Sequence, residues 1–208
     1  MSETTTKLIY IGDPMCSWCY GIAPEITKVK DNYKDQLSYE LIMGGLRPYN
    51  TQMMVELKDF LAHHWEEVNE RSGQEFSYDI LNSNDITYDT EPPSRATVVV
   101  RKIAPEKEMT FFKQVQIVFY LENKNMHLTE SYQSILNDLD IDYDLFTKLF
   151  ESAEMKNEVK LDFEKSQKMG IRSFPTLVLK HKDDLHLISN GYSTSDKIIQ
   201  RIDNLLQN

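Results

Sequence analysis

Residues 7–25 read KLIYIGDPMCSWCYGIAPE and contain both cysteines of the chain, Cys16 and Cys19. The first six letters are rich in β-forming residues and end at a turn-forming Asp-Pro pair, which predicts a buried strand. From Ile22 to Val29, apolar residues recur at the spacing of one face of a helix. We therefore expect Cys16 to lie at a turn that leads from a strand into a helix.

A helix N-terminus is a suitable place for a reactive cysteine. Its backbone N–H groups lack partners and its dipole is positive, so both stabilise a thiolate, the form that attacks disulfides. One helical turn later, Cys19 can reach back to resolve a mixed disulfide. A C-x-x-C pair has two other interpretations, half of a metal site or a chance spacing.

A second informative stretch lies far downstream, where residues 170–180 read GIRSFPTLVLK. Gly170 is expected to end a helix, and Pro175 stands just before a β-rich run. A proline at the start of a strand can follow a cis peptide bond. The simpler alternative is a trans proline that opens an edge strand.

Together, DPMCSWCYGIAPE, GGLRP and GIRSFPTLVL resemble the cytosolic DsbA-like (FrnE-type) branch of the thioredoxin superfamily. The resemblance implies an α/β fold, thioredoxin-like with a large all-helical insertion, and thiol–disulfide oxidoreductase or isomerase activity. It also implies roles for three residues. Cys16 would be the nucleophile, Cys19 the resolving thiol and Pro175 a cis-proline that faces the active site.

We predict that Ser17, Trp18 and Phe174 bind substrate. Trp18 is expected to be partly exposed and to offer an apolar surface, whereas the backbone of Phe174 would pair with an extended substrate segment. Ser17 and Trp18 replace the Pro-His pair of the strongly oxidising relatives, so we expect a less oxidising protein.

The proton acceptor for Cys19 is an open question at this stage. Thioredoxins often carry a buried carboxylate six residues before the first cysteine, where this chain has Tyr10. Asp13 is the nearest acid, although a turn residue before proline is the more common role of aspartate there. His63 and His64 could face the thiols from a helix, but packed or rim positions are the more common role.

We expect residues 1–46 and 153–208 to form the thioredoxin-like domain and residues 47–152 to form the helical insertion. In the insertion, residues 53–69 show the apolar spacing of an amphipathic helix, and residues 77–93 are expected to form a loop.

Several helix and strand boundaries follow from capping residues and turn signals. Ser94 and Thr129 are predicted N-caps, and Pro105 is expected to open a helix. After the insertion, strands are expected at residues 176–181 and 185–190, with a turn at 182–184 and a final helix.

Composition excludes several function classes. The chain has 208 residues, with 33 acidic and 23 basic side chains, a net charge of −10 and a pI near 5.0. An acidic surface disfavours nucleic acids and anionic membranes. No nucleotide-binding glycine motif occurs, and the apolar run at residues 8–11 is too short for a signal peptide, so we expect a cytoplasmic protein.

We predict no metal and no cofactor apart from a Cys16–Cys19 disulfide, with protein thiols and glutathione as exchange partners. A zinc site would need His181 and His186, which lie at the other end of the chain and flank a turn. Reductase, oxidase and isomerase directions stay open. The alternatives are a non-catalytic adaptor that binds protein partners and, less favoured, a glutathione-dependent isomerase or transferase, which typically has serine in place of Cys16.

Overall fold

In the computed structural model, residues 6–182 and 184–207 are described, and they contain one four-stranded sheet of order β2-β1-β3-β4. The strands are β1 (Lys7–Gly12), β2 (Ser38–Met43), β3 (Thr176–His181) and β4 (Asp184–Asn190). β1 runs parallel to β2 and antiparallel to β3, which forms a hairpin with β4. The sheet therefore joins the two ends of the chain. Of the predicted turn at 182–184, Asp183 lies outside the described residues.

The central strand β1 is buried on both faces, as its continuous apolar sequence predicts. Leu8 and Tyr10 contribute to the main core, and Ile9 and Ile11 belong to a smaller cluster on the opposite face. The helix α1 (Ser17–Tyr33) connects β1 to its parallel neighbour β2. Only four residues, 13–16, separate the end of β1 from the start of α1.

Helices fill the chain between β2 and β3. They are α2 (Lys58–Ser72), α3 (Glu91–Ile103), α4 (Glu108–Glu122), α5 (Gln133–Asp138), α6 (Tyr143–Phe150) and α7 (Ala153–Lys168); α8 (Ser195–Leu206) follows β4. α7 packs against both β2 and α3, so it joins the sheet to the inserted helices. The domain limits at 46/47 and 152/153 stay a prediction. Among the described residues, no helix has the length and apolar character to cross a membrane.

The inserted helices pack directly on the helix that follows the cysteines. Tyr20 of α1 stacks on Tyr120 of α4, with ring centroids 4.8 Å apart. Trp65 of α2 is fully buried and meets Tyr120 edge to face at 5.2 Å. Such aromatic contacts add to the free energy gained by burial. The insertion and the sheet thus share one continuous core around α1.

A partly buried ion cluster connects β2 to the helices α3, α4 and α7. Arg101 of α3 contacts Glu108 at 2.6 Å and Asp162 at 2.8 Å, and it donates to the Leu41 carbonyl at 2.8 Å. Asp162 also accepts from the Met43 N–H at 2.9 Å. Charge-assisted hydrogen bonds of this kind are stronger than neutral ones.

Two predicted N-caps are wrong. α3 begins at Glu91 with Thr90 in the N-cap position, so Ser94 lies inside the helix and the predicted loop ends earlier than residue 93. Two prolines occupy the first turn, where a missing N–H costs no helical hydrogen bond. Thr129 likewise lies within a short 3₁₀ turn that precedes α5. The amphipathic helix predicted at 53–69 instead runs from Lys58 to Ser72 after a 3₁₀ turn.

Candidate active site

The loop between β1 and α1 places Cys16 in the N-cap position of α1. The Cys16 N–H donates to the Asp13 carbonyl at 3.1 Å, which closes the turn. The Cys16 sulfur accepts from the Cys19 N–H at 3.4 Å. The sulfur therefore takes the place that a serine or aspartate oxygen holds in an ordinary N-cap, next to the positive end of the helix dipole.

The two thiols, both free in this structure, differ in their surroundings. Cys16 is 4% exposed, whereas Cys19 is completely buried one turn into the helix. Burial raises the pKa of the Cys19 thiol well above its ordinary value, and the neighbouring Cys16 sulfur adds to this shift. The Tyr10 hydroxyl donates to the Cys19 carbonyl at 3.4 Å. Cys19 is thus held as a protonated thiol behind the more accessible Cys16.

The loop before β3 lies opposite the cysteines. The Phe174–Pro175 peptide bond is cis, as expected, and the Cys16 thiol donates to the Phe174 carbonyl at 3.6 Å. Pro175 is anchored through its own carbonyl, which accepts from the Gly191 N–H at 2.7 Å. The Phe174 ring packs against Gly44, where an added Cβ would lie 2.2 Å from the ring. Residues 158 positions apart in the sequence therefore meet at one sulfur.

Asp13 is fully buried just before the cysteines. Its carboxylate accepts from the Met15 N–H at 2.9 Å and from the Leu46 N–H at 2.8 Å. The first contact is a turn interaction, as the Asp-Pro pair predicts. The second fastens the cysteine loop to the segment after β2. Burial raises the pKa of the Asp13 carboxyl to about 6, although these hydrogen bonds oppose the shift. The sequence leaves the proton acceptor for Cys19 open, and the turn contact is the role that it favours for Asp13.

The insertion contributes residues that sequence reasoning missed. The Tyr88 hydroxyl donates to the Met15 carbonyl at 2.6 Å, next to Cys16. The Thr90 hydroxyl accepts from the Arg47 N–H at 3.1 Å. Neither residue shows a local sequence signal, because each contact joins segments that are distant along the chain.

Trp18 and Ser17, the residues between the cysteines, are half-buried, as predicted for Trp18. The Trp18 ring lies 6.2 Å from the Tyr192 ring. The Arg71 guanidinium, at the end of α2, lies over the Tyr192 ring, 5.6 Å from its centroid. Arg71 and Tyr192 were also missed by the sequence analysis.

The four candidate histidines make their contacts away from the two cysteines. His63 pairs with Glu67 at 3.5 Å, and the His64 ring lies 4.3 Å from Phe60, so both sets of contacts are on α2 itself. His181 and His186 lie on the β3–β4 hairpin, at the sheet end opposite Cys16. In the described part of the chain, no three His, Cys, Asp or Glu residues are grouped to hold a metal ion.

The chain is similar to a known protein family and to a solved structure of the same fold. A family model described as thioredoxin matches residues 9–198. The crystal structure of a proposed protein disulfide isomerase from Nitrosomonas europaea is 34% identical and superposes with a TM-score of 0.89, covering 98% of both chains. These findings, with the described sheet and helices, confirm the predicted fold, a DsbA-like thioredoxin fold with a helical insertion.

Two more distant proteins are also similar. Cytosolic disulfide reductase DsbM from Pseudomonas aeruginosa is 20% identical with a TM-score of 0.80, covering 97% of this chain and 98% of DsbM. Another structure of DsbM was determined with GSH. ClpXP adapter protein SpxH from Bacillus subtilis is 22% identical over 186 residues, which cover 87% of this chain but only 61% of SpxH.

Proposed function

Because the chain belongs to the thioredoxin family, we propose that it exchanges thiols and disulfides through Cys16 and Cys19. One observation carries this proposal. The Cys16 sulfur sits at the N-terminus of α1, 3.6 Å from the carbonyl that precedes the cis-proline, with Cys19 buried one turn behind it. Cys16 would supply the reactive sulfur and Cys19 a second sulfur within its reach. The backbone at Phe174 would pair with the substrate.

The proposed exchange takes two displacements. In the reducing direction, the Cys16 thiolate attacks one sulfur of a substrate disulfide, and the other substrate sulfur leaves as a thiolate. Cys19 then loses its proton to the released thiolate and attacks the Cys16 sulfur, which frees the second substrate sulfur. Two electrons pass from the dithiol to the substrate, and the oxidising direction is the reverse.

The buried state of Cys19 has a function in this scheme. Its raised pKa keeps it protonated, so it does not compete with Cys16 for the incoming disulfide. Once a mixed disulfide forms on Cys16, the position of Cys19 beside that sulfur favours intramolecular attack. The predicted roles, with Cys16 as nucleophile and Cys19 as resolving thiol, therefore agree with the two environments.

Pro175, Phe174, Ser17 and Trp18 form the proposed substrate contacts. The Phe174 carbonyl that accepts from the Cys16 thiol is free to accept from an extended substrate once that thiol has reacted. Trp18 is half-buried, lies two positions after Cys16 and offers an apolar surface. The substrates we propose are protein thiols and disulfides, with glutathione as an exchange partner in the cytoplasm. The DsbM structure with GSH supports that choice.

A redox titration tests the proposal. Purified protein is equilibrated in glutathione buffers, and the thiols of Cys16 and Cys19 are counted by alkylation and mass spectrometry. We expect reversible oxidation at a potential between roughly −120 and −280 mV, the range of working family members. Cys16→Ser should abolish exchange, and Cys19→Ser should accumulate mixed disulfides. Full turnover by both variants would show that the dithiol is not catalytic.

A second candidate function is that of an adaptor for proteolysis, which the similarity to SpxH favours. An adaptor binds its partner without exchanging disulfides, whereas an oxidoreductase needs its sulfurs. The Cys16→Ser/Cys19→Ser double variant separates the two functions. Undiminished affinity for a protein partner, together with an inert dithiol in the redox titration, would favour the adaptor.

A further inference from the structure

A pocket of about 270 Å³ opens beside the cysteine loop. Its lining comes from α1, α2, the loop before β3, the end of β4 and the turn after it, and consists of Trp18, Arg71, Phe174, Asn190, Gly191 and Tyr192. Phe174 is the residue whose carbonyl accepts from the Cys16 thiol. A group in the pocket would therefore lie next to a substrate sulfur joined to Cys16.

Arg71 is the one cation among the residues that line this pocket. Across residues 6–182 and 184–207, its guanidinium has neither a hydrogen bond nor an ion pair. It is exposed and lies over the Tyr192 ring, with 5.6 Å from its central carbon to the ring centroid. Stacking on an aromatic ring orients a guanidinium while its N–H donors stay free for an anion.

We propose that Arg71 binds a carboxylate of the substrate, so that the site selects thiols and disulfides carrying an acidic group near the reacting sulfur. This inference rests on the proposed exchange activity. Two sources share this chemistry, the free tripeptide glutathione and a protein cysteine with an acidic neighbour. The pocket volume is near the lower end, roughly 300 Å³, of ordinary ligand sites, which suits one or two residues beside the sulfur.

The charge of the whole protein makes a local cation useful. A net charge of −10 repels acidic substrates at long range. Glu67 and Glu70 line a neighbouring pocket together with Trp18 and Arg71. Their charges disfavour an anion on that side of Arg71, so the substrate carboxylate is directed to the Tyr192 side.

The reacting step is the first displacement of the exchange. The Cys16 thiolate attacks one sulfur of oxidised glutathione, a bond forms between these two sulfurs, and one glutathione thiolate leaves. The glutathionyl group that stays on Cys16 is the one whose carboxylate contacts Arg71. Cys19 then loses its proton to the glutathione thiolate that left first, attacks the Cys16 sulfur and displaces the bound glutathionyl group as a second thiolate.

The test compares acidic and neutral forms of one probe. Reduced protein is mixed with oxidised glutathione or with its tetraethyl ester, and the loss of free thiols is followed by quenched alkylation. In the Arg71→Ala variant, the rate with oxidised glutathione should fall about tenfold, as expected for one lost charge-assisted hydrogen bond. The rate with the ester should change less than twofold. Arg71→Lys, which keeps the charge without the planar fork, should fall in between.

A matched control removes a cation at the other end of the same helix. Lys58→Ala makes the same change in net charge about 20 Å from Arg71 along α2. Its rate with oxidised glutathione should stay within twofold of the wild type. An equal loss in both variants would mean that Arg71 acts only through net charge, and an equal loss for the acid and the ester would mean a structural effect. Either result overturns the proposal.

Peptide disulfides with Asp or Asn beside the cysteine distinguish the two sources. If Arg71→Ala slows only the Asp peptide, the site accepts acidic protein segments, and if it slows only glutathione, the tripeptide is the ligand. If neither probe depends on Arg71 while the wild type exchanges normally, the carboxylate site is refuted and the exchange activity stands. A wild type that exchanges with no disulfide would refute the proposed function instead.

Discussion

Replacement of Asp13 by asparagine should change how the stability of the protein depends on pH. Asp13 is fully buried, and burial raises its pKa from 3.8 to about 6. The folded protein therefore holds this proton more tightly than the unfolded chain does. The stability that the protonated carboxyl contributes is fully present below pH 3.8, and it is lost as the pH rises through about 6.

The size of the effect follows from the two pKa values. They differ by about 2.2, and each pH unit corresponds to about 1.4 kcal/mol, so the complete loss amounts to about 3 kcal/mol. Between pH 4 and pH 7, where most of the change falls, the expected loss is about 2 to 3 kcal/mol. Asparagine does not titrate, so the Asp13→Asn variant should lack this part of the pH dependence.

Urea unfolding at pH 4 and pH 7, with a thiol reductant present, measures the difference. Asp13→Asn also loses a hydrogen bond. The asparagine side chain has one oxygen and one NH₂ group, and the NH₂ group cannot accept from the N–H of Met15 or Leu46. That cost lowers the stability equally at both pH values, so only the difference between them is informative. Asp138→Asn, at an exposed position, controls for the loss of one negative charge. Parallel pH profiles for the wild type and Asp13→Asn would refute the argument from burial.

Two further substitutions, each with a control, test the packing around the site and the ion cluster between β2 and the helices. Gly44→Ala places a Cβ 2.2 Å from the Phe174 ring, so we expect a loss of about 1–3 kcal/mol in stability and roughly tenfold slower exchange, measured by urea unfolding and glutathione oxidation. Gly73→Ala, at positive φ but with open space around it, should lose stability without losing activity. Arg101→Met should cost about 3 kcal/mol in urea unfolding, because it leaves the partly buried carboxylates of Glu108 and Asp162 unpaired. The neighbouring Lys102→Met breaks only an exposed pair and should cost clearly less than Arg101→Met, and equal losses would contradict the ion-cluster argument.

The parts of the site that the sequence predicts are those with a local signal. The strand before Cys16 and the helix after it depend on residues within a few positions of each other. The position of Trp18 follows from the same short motif. The cis-proline before β3 follows from the resemblance to DsbA-like proteins, because its local sequence also allows a trans proline. Capping is a weaker signal, because serine, threonine and proline all suit the first turn of a helix. The start of α3 at Glu91 rather than after Ser94 is an example.

The remaining parts of the site depend on contacts across the fold, which no local pattern records. Tyr88 reaches the Met15 carbonyl from 73 positions away, and Arg71 reaches the Tyr192 ring from the opposite half of the chain. Both Tyr88 and Arg71 belong to the helical insertion, whereas the cysteines belong to the part built around the sheet. In the proposed exchange, the sheet-based part supplies the reacting sulfurs and the backbone edge beside them. The insertion supplies Tyr88, which contacts the cysteine loop, and Arg71, which we propose selects the substrate. Changes in the insertion should therefore alter selectivity more than the exchange chemistry itself.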